Sequence, residues 1–327
     1  MKKRLPEIDD IRGISIIVMI LIHTNAYFLS QPWAYITREI SQFAVVAFLF
    51  CSTYISLQKA LPTTITEFLP YIFKRLKRLV IPFFIFFTIY VLFLEFIIGK
   101  HFSWQYIIDS FLFMGGIDFN WLVLLFMQLM VITPLLHYCF KKQKWLFFAY
   151  ASLAFITSLY FLKFTPLPYY RSIMWLPWSL VIVYTFYFDR LWKNKKLFFL
   201  ITILFGLIFI GTQQYILLPL HHSFSMYSNK YPPNLYHIAY SLFALNILYY
   251  LSCVRLFAYP FVQNSIHFFS VNSYTIFFIH ILVIEGVWKW MCPNNWIVFF
   301  LAVIGISAMI QIGMNMLSEK MKPAHIK

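Results

Sequence analysis

Continuous apolar runs near twenty residues long recur from one end of the chain to the other. They cover about 11–29, 40–57, 79–98, 119–138, 145–162, 172–188, 197–216, 235–252, 273–290 and 296–316. Each is about the length a helix needs to cross some 30 Å of hydrocarbon. Helices are required because a backbone in lipid must satisfy its own hydrogen bonds. Alternating segments of about ten residues, the mark of a membrane barrel, are not the pattern here. The expectation is an all-α integral membrane bundle of about ten transmembrane helices. It forms one domain over residues 1–327, with no soluble module at either end.

The polar residues between the runs set the orientation. With the N-terminus in the cytoplasm, twenty of the 26 Lys and Arg residues fall on the inner side. Only Arg38, Lys100, Lys163, Arg171, Lys230 and Lys289 fall on the outer side. This is the bias of the positive-inside rule, and an odd number of crossings would break it. Both termini are therefore expected in the cytoplasm. Composition agrees, at 61% hydrophobic and 11% charged residues. The net charge of +15 is dispersed over loops rather than gathered on a module, so nucleic acid is a poor candidate partner. Lys2, Lys3 and Arg4 precede a run that is too long for a secretory signal and holds Arg12 and His23. It reads as a retained anchor. Cys51, Cys139, Cys253 and Cys292 lie far apart and suit apolar packing, with no disulfide framework or metal site expected.

Arg12 and His23 stand out because ionisable groups inside a membrane helix are costly and mark function by default. Eleven residues return to nearly the same helix face, with His23 about 16 Å deeper. A neutral imidazole there can accept a proton from a hydroxyl that attacks a carbonyl. A histidine hydrogen-bonded across a helix interface fits the position equally well. Thr24 and Asn25 follow it and can orient the ring or line a polar cavity.

Four further groups carry weaker signals. Lys74, Arg75, Lys77 and Arg78 form a basic cluster that can hold phosphates or contact anionic lipid. Pro82 is expected in the opening turn of the following helix. Asn120 can face a cavity, Trp121 suits the outer interface, and Gln128 can bond to a neighbouring helix. Tyr274 and His280 lie in a late helix with Glu285 five residues on, about 140° around from His280 and so suited to a partner on another helix. Gln311 and Asn315, one turn apart, are expected to bond within the bundle. Glu95, Asp109, Asp118, His221 and His222 are poorer candidates, the adjacent histidines making a weak metal signal.

Taken in order, these segments resemble the acyltransferase-3 family of multi-pass membrane acyltransferases. Ile8-Asp-Asp-Ile-Arg12-Gly13 through His23 is similar to its D-x-x-R-G … H signature. Phe48-Leu-Phe-Cys-Ser52-Thr53-Tyr54 resembles its F-F-x-x-S-G-Y/F stretch, with Thr53 in place of the usual Gly. Arg75 and Arg78 with Pro82, Asn120-Trp121-Leu122 through Pro134, and Ser273-Tyr274 through His280 match three further segments. The resemblance spans about residues 7–316.

The resemblance implies transfer of an acyl group, most often acetyl, from cytoplasmic acyl-CoA to a hydroxyl of a bacterial surface or lipid-linked glycan. It places the protein in the bacterial inner membrane with no permanently bound cofactor. Arg12, Arg75 and Arg78 are expected to hold the coenzyme phosphates, and His23 to act as base or transient acyl carrier. Asn120, Trp121, Tyr274 and His280 are the expected further substrate contacts. Since the sequence stops at Lys327, the transfer is expected to finish alone or with a separate periplasmic or extracellular transferase. The rival reading is an exporter of a glycan or lipid-linked saccharide on the same scaffold.

Overall fold

A computed structural model describes residues 5–62 and 64–321. The expected inner-side cations Lys2, Lys3, Arg4, Lys322 and Lys327 lie outside the described residues. In chain order the helices are α1 (Pro6–Asn25), α2 (Pro32–Ile40), α3 (Ala44–Leu57), α4 (Ile65–Phe93) and α5 (Trp104–Phe111). Then come α6 (Asn120–Lys142), α7 (Lys144–Phe164), α8 (Tyr170–Ile173), α9 (Trp175–Lys193) and α10 (Lys195–Leu217). The last are α11 (Leu235–Cys253), α12 (Pro260–Val271), α13 (Ser273–Met291) and α14 (Trp296–Lys320). No strand occurs among the described residues.

Local chemistry explains many of the boundaries. Pro6, Pro32 and Pro260 open α1, α2 and α12, where the missing N–H is an orphan donor anyway. Ser103, Asn194 and Asn295 cap α5, α10 and α14 with side-chain oxygens.

Each of the ten expected spans coincides with a helix. Among the described residues, eight of them lie in helical stretches long and apolar enough to cross a membrane, so this is a multi-pass membrane protein. The other two, α9 and α11, are each 19 residues long but carry polar side chains inward. Tyr184 of α9 donates to Asn246 Oδ1 of α11, and Asn246 Nδ2 donates to Thr202 Oγ1 of α10 at 2.9 Å. Such a helix is surrounded by protein rather than lipid, so its mean hydropathy can fall. By contrast α10 turns Leu200, Ile203 and Leu207 outward, each more than half exposed, as a lipid-facing helix should.

One expected boundary is corrected. α4 begins at Ile65, not near residue 79, so Pro82 lies inside a helix and not in its opening turn. The basic cluster is therefore helical, with Lys74, Lys77 and Arg78 exposed. A helix that leaves the hydrocarbon can continue where water and headgroups solvate its charges.

The chain divides into two compact units. The first comprises Met1–Ala44, Phe86–His101 and Leu251–Lys327. Within it α1 packs against α12, α13 and α14, and α13 against α14. The second comprises Val45–Ile85 and Phe102–Tyr250. There α9 packs against α6, α7 and α10.

Candidate functional site

In the first unit, Arg12 is built into a clasp. Its Nε donates to Ser270 Oγ at 3.0 Å and its Nη2 to Asp9 Oδ1 at 2.9 Å. Ser270 in turn donates to the same carboxylate oxygen at 3.1 Å. One carboxylate, one hydroxyl and one edge of the guanidinium close a triangle between α1 and α12. The Nη1 group of Arg12 has no partner among the described residues. Neighbouring Asp10 accepts from Ser252 Oγ.

Gly13 makes this clasp possible. A Cβ built there would fall well inside contact distance of the Ile266 carbonyl oxygen and 2.7 Å from Ile266 Cγ2. The two helices meet at a distance that no larger residue permits, which brings Ser270 within reach of Arg12.

His23 lies on the same helix, as the spacing predicts, but it is half-buried rather than fully enclosed. Its Nδ1 is 2.8 Å from His280 Nε2 on α13. The ring planes differ by only 7° with centroids 5.1 Å apart. The centroids are separated by about a ring diameter more than the bonded nitrogens, so the rings lie edge to edge near one plane, not face to face.

The protonation pattern follows from the partners. His280 Nδ1 is 3.0 Å from the Ile276 carbonyl oxygen, which only accepts, so Nδ1 carries the hydrogen. A neutral His280 then offers a lone pair at Nε2. His23 Nδ1–H donates to it, and the proton-accepting lone pair of neutral His23 is left on Nε2. His280 is fully buried, so the ring that orients His23 is itself held fast.

Thr24 and Asn25 do not orient the ring. Thr24 bonds back to Ile20 O at 3.0 Å, while Asn25 ties α1 to α2 through Ala34 O and Thr37 Oγ1 at 3.2 and 2.6 Å. Tyr274 is half-buried in the first turn of α13, edge-on to Phe278 with ring centroids 4.9 Å apart. Glu285 finds the interhelical partner expected of it. It accepts from Tyr90 Oη at 3.4 Å and lies 3.8 Å from Lys100 Nζ. Gln311 donates to Asn315 Oδ1 at 2.8 Å, and both donate to Asn272 Oδ1 at 3.2 and 3.3 Å, clasping α14 to the start of α13.

The remaining candidates belong to the second unit. Both terminal nitrogens of Arg75 donate to Ser56 Oγ at 3.1 Å, and its guanidinium lies 4.6 Å from the Tyr71 ring centre. Arg78, one turn on, is exposed. Thr53 is accommodated in a buried place.

Asn120 does not face a cavity. Its Nδ2 donates to Ser110 O and Gly115 O at 3.1 and 2.9 Å, and its Oδ1 accepts from Arg171. This amide braces the turn at 112–119, where Gly116 adopts φ +68° and has no room for a Cβ beside Ser110. Trp121 is likewise not at a lipid interface. It is 7% exposed, stacked with Trp178 and edge-on to Tyr231 at centroid distances of 6.3 and 5.1 Å. Gln128 donates to Arg171 O at 3.0 Å, the neighbour bond expected of it.

Sequence reasoning missed Asp9 and Ser270 as partners of Arg12, and His280 as the partner of His23. Asp9 could have been found, being three residues before Arg12 on one helix face. The other two contacts join residues 258 and 257 positions apart and leave no local trace.

Among protein families, one described as an acyltransferase domain, the acyltransferase-3 type, matches residues 5–311. No curated protein and no solved structure matches.

Proposed function

This chain belongs to the acyltransferase-3 family and is a multi-pass membrane acyltransferase; from that premise we propose that it moves an acyl group from cytoplasmic acyl-CoA to a hydroxyl of a glycan. The observation that carries the proposal is the His23–His280 pair, with its hydrogen-bond direction fixed by Ile276 O. His23 Nε2 takes the proton of the acceptor hydroxyl as that oxygen attacks the thioester carbonyl. His280 accepts the Nδ1–H of His23 throughout, and that bond strengthens as the ring gains charge. When the tetrahedral intermediate collapses, the carbon–sulfur bond breaks and the proton returns to the departing sulfur. The same lone pair can instead attack the thioester carbonyl, breaking the carbon–sulfur bond and expelling the coenzyme thiolate to leave an acyl-imidazolium; the acceptor hydroxyl then attacks the acyl carbon, the carbon–nitrogen bond breaks and the hydroxyl proton passes to the thiolate.

Arg12, held by Asp9 and Ser270, presents Nη1 to an anionic or carbonyl oxygen. Arg75 and Arg78 are proposed as donors to the coenzyme phosphates, which suit the forked guanidinium. Tyr274 and Trp121 are proposed as substrate contacts, while Asn120 supports Trp121 by bracing the turn before it. The bacterial inner membrane is the proposed location, with acetyl as the acyl group.

The test is the purified protein in nanodiscs with labelled acetyl-CoA and a panel of methyl hexosides. His23→Ala should insert normally and lose transfer. Retained transfer by that variant would overturn the assignment. Glycan movement without acyl-CoA would favour an exporter instead. A label trapped on the His23 peptide during turnover selects the acyl-imidazole route; its absence selects general-base catalysis.

A further inference from the structure

Glu285 is a carboxylate within a membrane-crossing helix, a position expensive enough to need a reason. Its side chain is 19% exposed, against 54% for its partner Lys100. Lys289, four residues on, does not serve it: that ammonium donates instead to the carbonyls of Ile97 and Ile98. Glu285 and Lys100 thus form a formally neutral pair, with Tyr90 Oη as a third polar group.

Three residues on from Glu285, and so next to it on the surface of α13, Trp288 belongs to an aromatic platform. Trp288 is backed edge-on by Phe28 and Phe299, at centroid distances of 5.8 and 5.6 Å. Both of those rings are buried. Tyr27 lies against Trp288 at 4.6 Å. Tyr27 and Trp288 are each 38% exposed, so the platform is fixed behind and open in front.

The platform is near the histidines. α1 and α13 touch at two levels, through His23 with His280 and through Tyr27 with Trp288. Glu285 lies between those levels on α13, about 7.5 Å beyond His280 and about 4.5 Å short of Trp288. An interfacial aromatic belt explains the two rings alone. It gives no reason for a carboxylate beside them.

We infer that Tyr27, Trp288, Glu285 and Tyr90 form the acceptor subsite, and that it selects a neutral pyranoside over an acidic one. The inference rests on the acyl-transfer reading above. The C–H face of a pyranose meets the negative face of the indole. Its hydroxyls donate to the Glu285 carboxylate, and one further hydroxyl is left for His23 Nε2. A uronic acid would bring a second carboxylate against Glu285, where Lys100 is already matched, and like charges repel.

The experiment is saturation-transfer NMR on the full chain in nanodiscs, with methyl β-glucopyranoside and methyl β-glucuronide as probes. The wild type should saturate the ring protons of the glucoside and not those of the glucuronide. Trp288→Ala should weaken glucoside binding by about tenfold, a shift of about 1.4 kcal/mol. Trp288→Phe, which keeps a stacking face, should retain most of it. Glu285→Gln leaves Lys100 without its counter-charge and should swing the preference toward the glucuronide, an outcome a purely structural ion pair would not give. Equal saturation of both probes by the wild type, saturation of neither, or unchanged binding in Trp288→Ala overturns the inference. Because the readout is binding, a wild type that fails to consume acetyl-CoA would sink the acyl-transfer reading and leave this result standing.

Discussion

At the scale of single residues, the two histidines have separable tasks. Under the proposed chemistry His23 presents the reacting nitrogen, and His280 fixes which nitrogen that is. His280→Ala should therefore lower kcat by about 10²-fold, the lower range of a positioned base, with the KM for acetyl-CoA unchanged. Steady-state kinetics on the nanodisc protein checks this. Arg12→Lys should be nearly as damaging as Arg12→Ala, because one ammonium cannot reach Ser270 and Asp9 together and still offer a further edge. Rescue of transfer by the lysine variant would show that charge alone is needed. Arg12 and His23 were legible in the sequence because ionisable groups are rare in apolar runs. Asn120 and Trp121 were placed by motif and then given the wrong surroundings: an amide before a tryptophan reads the same whether it faces a cavity or braces a turn.

At the scale of the helices, the contact of α1 with α12 depends on Gly13. Gly13→Ala must push Ile266 away, which loosens the Ser270 bond to Arg12. The expected cost is about 1–3 kcal/mol, the range for overpacking a tight contact. It is read as a lowered midpoint of thermal unfolding, together with reduced transfer. A variant as stable and active as the wild type would mean that α12 moves freely. The positions of the spanning helices were legible because about 30 Å of hydrocarbon sets their length. The start of α4 was not, since a helix leaving the bilayer keeps its backbone pattern while losing its apolar one. The pairing of α1 with α13 was also hidden, because nothing local to Ser273–His280 names the helix it meets.

At the scale of the whole molecule, the alternation of basic loops predicts which ends face the cytoplasm, and this can be tested with thiols. Exposed Cys292, at the end of α13, should react with a membrane-impermeant maleimide applied to intact cells. A cysteine placed by Lys144→Cys, at the start of α7, should react only after permeabilisation. The opposite pattern would invert the topology. The His23–His280 bond carries one last consequence for a protein that works across a bilayer. The pair ends on Ile276 O, a carbonyl that can take a hydrogen bond but cannot keep a proton. Under the proposed chemistry the relay is a blind alley: what is lifted from the acceptor goes back to the leaving sulfur and never drains to either aqueous phase. Catalysis of that kind is electroneutral, and collapsing the membrane voltage should leave its rate where it was.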